Sequence, residues 1–298
     1  MNKQQIIFED LGRMDYQSAW DYQESLLQEN VRRKRAVSNW LLAVTNNGAA
    51  INNKIDEFVS TLNLPTGQAG DKPETTNHHK TDELETTSNL KPPSVAVGLP
   101  KAMQTINHLL FVEHPPVYTL GKSGKEEHVL INEADRIEKN IEYIKTNRGG
   151  DITFHGPEQL VGYPILDLEN FYTDIGKYLR NLEEVIILTM AEYGLKGERS
   201  SGETGVWLEP GIKGRERKIC AIGVRCSRWI TMHGFAFNVN TDLSYFDYIV
   251  PCGIRDKQVT SLEKELGQKI SMDEVKEKVK RNFEKVFEVK IEEHSLHE

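Results

Sequence analysis

Apolar positions along the chain follow two different periods, and one long stretch follows neither. Tyr16, Ala19, Trp20, Leu26, Leu27 and Val31 recur at helical spacing behind Asp15, a candidate N-cap. The same period returns over Tyr172 to Tyr193, through Ile175, Leu179, Leu182, Ile186 and Met190. It returns again over Met272 to Val286, through Val275, Val279 and Phe283, with Ser271 as the cap. Between these lie short β-rich segments: Leu109–Glu113, Tyr143–Thr146, Ile152–Phe154, Tyr163–Leu168, Gly205–Leu208, Lys218–Arg225 and Gly234–Asn240. The pattern predicts an α/β (α+β) fold, a mixed β-sheet with flanking helices.

The stretch without a period decides the domain organisation. From Pro65 to Ser94, thirty residues hold only Ala69, Leu84 and Leu90 as hydrophobics, too few to bury a core. We therefore expect a single catalytic domain made of residues 1–35 and 105–298. Residues 36–104 form an insertion, partly helical at its start through Trp40, Leu41 and Leu42 and disordered around 65–94. Setting aside those 69 residues leaves 229, a fitting size for one domain.

Charge and composition narrow the partners. Lys and Arg number 37 against 45 Asp and Glu, a formal charge of −8, which argues against a nucleic-acid footprint. No apolar run approaches the roughly 20 residues needed to cross a bilayer, so no membrane partner is expected. The opening residues lack a secretory pattern, which predicts a cytoplasmic location. Three cysteines do not suggest a disulfide framework, and each is expected as a free thiol.

Three segments could carry chemistry. Arg148-Gly-Gly-Asp-Ile-Thr-Phe-His155 pairs glycines before a strand, which lets a ligand approach the backbone, although a plain hairpin rim has the same look. It lacks the Lys-Ser or Lys-Thr of a phosphate-cradling loop. In Lys218–Cys226 alternate residues share one strand face, so Cys220 and Cys226 read as inert core thiols and Lys218 as a strand-end amine. In Tyr248-Ile-Val-Pro-Cys252-Gly253 the cysteine falls between proline and glycine, in a turn, where it is either reachable or simply buried. A free thiol has a pKa of about 8.5 and becomes nucleophilic beside an ammonium or imidazolium. Lys218, His155 and His233 are the candidate partners. His114, ahead of two prolines, reads as a strand-end residue fixing a turn. No His, Cys, Asp and Glu fall at zinc-ligand spacing, so no metal is expected.

Together these segments resemble the lipoyl(octanoyl) transferase family, related in fold to the biotin and lipoate protein ligases. The likeness is carried by Leu109 to Gly121, Arg148 to Pro157, Lys218 to Arg225, His233 to Asn240 and Pro251 to Gly253, over roughly residues 8–33 and 105–265. The resemblance implies Cys252 as nucleophile and Lys218 as its paired amine. It implies substrate contacts at Arg148, Gly149, Gly150, Asp151, Ile152, Thr153, Phe154 and His155, at Ala221, Ile222 and Gly223, and at Gly234, Phe235 and Ala236. It implies no cofactor. The donor would be octanoyl-acyl carrier protein, and the acceptors lipoyl domains of 2-oxoacid dehydrogenase complexes and the glycine cleavage H protein.

The implied chemistry is transfer through a cysteine thioester to a lysine amide. Acidic partners call for a positive rim on an acidic enzyme, for which Arg32 to Arg35, Lys122, Lys125 and Arg148 are candidates. Two rivals remain: an ATP-dependent lipoate or biotin ligase using Lys218 with a cover at Gly214–Arg217, and a non-catalytic binder of acylated carriers.

Overall fold

The computed structural model describes residues 3–46, 103–250 and 258–293, the side chains of 41–46 excepted. Its contacts divide the chain into two units, Met1–Asn30 with Ile106–Glu298, and Val31–Thr105. The disorder expected around 65–94, and the nucleophile expected at Cys252, lie outside the described residues.

The first unit is built on a nine-stranded mixed sheet. Its strands are β1 (Gln4–Arg13), β2 (Asn107–Glu113), β6 (Gln159–Ile165), β7 (Glu198–Ser200), β8 (Glu203–Leu208), β9 (Arg217–Ser227), β10 (Ile230–Asn238), β11 (Gln258–Val259) and β12 (Val289–Glu293). Their order is β12-β1-β2-β6-β10-β9-β8-β7, and β11 is added beside β9. A separate three-stranded sheet holds β3 (Val117–Leu120) between β4 (Glu142–Lys145) and β5 (Ile152–His155). The periodicity predicted one sheet. The split arises because β5 pairs with β3 rather than with β6, so Ile152 and Phe154 serve a second small core with Tyr118, Phe246 and Ile249.

Helix α1 (Tyr16–Asn46) starts where expected, with Asp15 Oδ1 accepting from the Ser18 N–H at 2.8 Å. It runs without a break through Trp40 to Leu42, the residues expected to be helical at the start of the insertion. The short α2 (Glu133–Glu138) precedes β4. Helix α3 (Ile175–Ala191) is capped by Asp174, and α5 (Met272–Phe287) by Ser271, while α4 (Leu262–Leu266) is a short connector. Tyr178, Leu182, Val185, Ile186 and Met190 of α3, with Val275, Val279 and Phe283 of α5, bury one face of the large sheet.

Asn30 closes the first unit where the chain leaves it. Its Nδ2 donates to the Ile106 carbonyl at 2.7 Å and its Oδ1 accepts from the Ile106 N–H at 2.8 Å, so one side chain satisfies both polar groups of that residue. Within the second unit, Arg33 donates to the Gln104 carbonyl at 3.2 Å. Among the described residues no helix is long and apolar enough to cross a membrane.

Candidate active site

One part of the large sheet is lined by small residues. Gly223 pairs with Gly234, and Ala221 with Ala236, across the β9–β10 ladder, so the four share one face. Above them is a cavity of about 500 Å³. A Cβ at Gly234 would lie 2.1 Å from the Gly162 carbonyl oxygen, and one at Gly223 would lie 2.8 Å from that of Gly149. Only glycine lets these backbones come so close.

The loop before β5 forms one wall. The Gly149 N–H donates to the Val224 carbonyl at 2.9 Å, which lays the loop on β9. Arg148 is 7% exposed: its Nη2 donates to the carbonyl and hydroxyl oxygens of Thr119 at 2.6 and 2.9 Å, and its Nη1 to the Gly149 carbonyl at 3.0 Å. The guanidinium thus ties the loop to β3 and is not part of a solvent-facing rim. His128 holds the loop's other end, its Nδ1 2.7 Å from Asp151 Oδ2.

A cluster of neutral rings closes one end. Tyr163 donates its hydroxyl to His114 Nε2 at 2.7 Å, while His114 Nδ1–H donates to the Met14 carbonyl at 2.8 Å. His155 Nδ1–H donates to Gln159 Oε1 at 2.9 Å, and its ring stacks on Tyr16 at 5.7 Å. His233 donates from Nε2 to Asn147 Oδ1 at 2.9 Å and meets Trp20 edge-on. Burial disfavours the charged forms throughout: His114 falls to about 4, His233 to about 3 and His155 well below its ordinary value, while Tyr16 rises to about 12. His155 and His233, both considered as imidazolium partners for a thiolate, are therefore neutral near pH 7.

Lys218 stands elsewhere along β9, 8% exposed, with its Nζ 4.5 Å from the centre of the Trp207 ring. Its backbone is locked by β11: Val259 pairs with it, and Thr260 N–H donates to its carbonyl at 2.9 Å. It lines the cavity, as do Gly149, Gly150, Asp151, Ile152, Thr153, His155, Ala221, Ile222, Gly223, Gly234, Phe235 and Ala236. Phe154 does not. It packs in the second core, where it stacks on Tyr245 at 4.6 Å. Cys220 is buried, and burial pushes its thiol far up, whereas Cys226 is only half-buried, unlike the core thiol expected there.

The sequence reading missed several lining residues. Tyr16 was taken only as part of a helical stripe, and Tyr163 and Asn238 only as strand positions. The signal available was a set of polar groups inside strands that are otherwise wholly buried, as β6 and β10 are. Among the described residues no cluster of His, Cys, Asp and Glu is arranged to hold a metal ion.

Residues 98–284 match the model of the lipoyl protein ligase A/B catalytic domain. The chain belongs to that family. It is 50% identical over 292 residues to the octanoyltransferase of Flavobacterium johnsoniae, a match covering 98% of this chain and 100% of that one. It is 64% identical over 188 residues to the octanoyltransferase of Christiangramia forsetii, covering 63% of this chain and 80% of the other. A solved structure from the archaeal lipoylation system of Thermoplasma acidophilum, a bi-partite lipoate protein ligase and its E2 lipoyl domain, aligns with a TM-score of 0.53. That alignment has 20% identity over 65% of this chain and 76% of that one, and shares the fold. As a member of the lipoyl protein ligase A/B family with octanoyltransferase relatives matched end to end, the chain is an acyltransferase of protein lipoylation.

Proposed function

We propose that the chain moves an octanoyl group from octanoyl-acyl carrier protein to a lysine of lipoyl domains, through a thioester on Cys252. The observation that carries this reading is the register of β11. The chain segment bearing Cys252 rejoins the described fold at Gln258 and Val259, and Val259 pairs with Lys218 on the cavity wall. On the other side, Val250 N–H donates to the His128 carbonyl at 2.8 Å, and the His128 ring holds Asp151 at the cavity.

In the first step the Cys252 thiolate attacks the thioester carbonyl, a carbon–sulfur bond forms to Cys252, and the carrier's phosphopantetheine thiolate leaves and takes up a proton. In the second, the acceptor lysine's amine attacks, the amide forms, and Cys252 leaves as thiolate. Lys218 stabilises the thiolate in both states and passes on the amine's proton. The apolar lining from Ile222, Val224, Phe235, Ile175 and Leu179 buries the chain at about 0.8 kcal/mol per CH₂. A reducing cytoplasm, where thiols stay free, suits this chemistry.

The turn considered as an adenylate cover argues against the ATP-dependent rival. Arg217 is engaged by Glu265 at 2.6 and 2.7 Å and by Glu209 at 2.5 Å, and Arg215 by Glu209 at 2.8 Å, so both guanidinium groups are already paired with carboxylates. Incubation with octanoyl-acyl carrier protein, without ATP, followed by mass spectrometry tests the reading. One octanoyl adduct on Cys252 is expected; an unmodified chain, or an adduct only on Cys226, overturns it.

A further inference from the structure

Lys218 and its neighbours break the alternation of their strand. In a regular strand Lys218 would share a face with Cys220. Instead Ile219 and Cys220 are both buried in the large core, while Lys218 and Ala221 both line the cavity. The cause lies in the ladder: Val206 and Trp207, consecutive on β8, pair with Cys220 and Lys218, which are two apart on β9. Ile219 is thus the extra residue of a β-bulge, and a bulge re-aims the side chains beside it. Here it turns Lys218 out of the core and into the cavity.

Gly205 sits at the break. Its φ of 121° lies in a region that side chains rarely allow, and a Cβ there would be 2.5 Å from the Cys220 carbonyl oxygen and 3.5 Å from Lys218 Cε. The stem of the lysine therefore passes beside it. What fixes Gly205 comes from another element: its N–H donates to Oε1 of Glu183, on α3, at 3.0 Å.

Glu183 is fully buried, and a carboxylate so placed carries a desolvation cost that its partners must offset. Its Oε2 accepts from Arg199 Nε at 3.0 Å and from Arg180 Nη1 at 2.8 Å, both guanidinium groups reaching in from the surface. Pairing an arginine here does not call for such depth, because Glu184, the next residue, meets Arg199 at 2.6 Å while still partly exposed. What the burial of Glu183 adds is the bond to Gly205.

Resting on the transfer reading above, we propose that Glu183 is a positioning residue for the reaction: through the Gly205 N–H it holds the bulge that aims Lys218 into the cavity. The test uses the full chain with isotope-labelled lysine and octanoyl-acyl carrier protein as donor. It reads kcat, KM and the Lys218 Cε resonance, which the nearby Trp207 ring displaces and which Lys218→Arg identifies by its loss. Glu183→Gln keeps the reach and an oxygen for Gly205 but loses the charge. Glu183→Asp keeps the charge for the arginines but draws the carboxylate back by one methylene. In Glu183→Asp the resonance should move towards that of an exposed lysine and kcat should fall about 10- to 100-fold, with KM within about twofold of the wild type. In Glu183→Gln the resonance should stay in place and kcat should remain within about threefold. The reverse order, with Gln failing and Asp succeeding, would make Glu183 a counter-ion for the arginines and overturn the proposal, as would two variants that behave alike. A wild type that forms no octanoyl adduct overturns the transfer reading and any part of Glu183 in it, a result separable from the others because the resonance is read without turnover.

Discussion

The two ends of the cavity use burial for opposite purposes. Around Tyr16, His114, His155, Tyr163 and His233, burial strips titratable groups of charge and commits most of their polar atoms to one another or to backbone. At Lys218 the amine is buried as well, but it lies 4.5 Å from the centre of the Trp207 ring, on a strand locked by β11. One end is a neutral mould, and the other holds the lysine we propose to move protons. The contrast shows that exposure alone does not tell the two kinds of buried group apart. What surrounds the buried group does.

The sharpest way to break this contrast is at the Lys218 end. Lys218→Arg keeps the cation over Trp207 but cannot yield a proton, so kcat for octanoyl transfer should fall by about 10²–10⁴-fold with little change in thermal midpoint. Turnover within a few-fold of wild type would make Lys218 a structural cation. Cys252→Ala, in the same assay, should give no octanoyl adduct.

The neutral end makes the next largest prediction. His114 at about 4 and His233 at about 3, with His155 also depressed, lie below the unfolded value near 6.5. The unfolded chain therefore binds more protons in acid. This contribution to stability is whole above pH ~6.5 and is lost as pH falls towards the folded values, at up to about 1.4 kcal/mol per histidine per pH unit. Thermal denaturation between pH 7 and 5 should show a falling midpoint, and a flat profile would mean that the mould is charged.

Gly223→Ala probes the contact between β9 and the Arg148 loop. Its Cβ would press on the Gly149 carbonyl at 2.8 Å, costing about 1–3 kcal/mol by chemical denaturation and displacing the Arg148 loop. The smallest effect is expected from Tyr163→Phe, which leaves His114 Nε2 unmet for about 1 kcal/mol, with transfer otherwise retained.

Much of the scaffold was legible locally. Asp15 and Ser271 cap the helices they were assigned, and β2, β8, β9 and β10 run close to the predicted segments. β1 and β12 were not seen. Each shows few buried positions, and each is a strand because a partner lies beside it: β12 pairs in parallel with β1, and β1 with β2, across more than a hundred residues of chain. Phe154 was placed at the substrate because its neighbours belong there; nothing local tells that β5 pairs into a second sheet. Arg148 was offered to solvent because a lone arginine beside glycines gives no hint of Thr119, which β3 brings beneath it.

By itself the order of residues determined the helices, most strands and the family, since capping, periodicity and motif spacing are short-range properties that survive without a fold. The cavity belongs to tertiary structure alone. Which rings become neutral and which arginine turns inward depend on desolvation and on partners from distant segments. Those terms have no value until the sheets have formed and closed over the groups concerned.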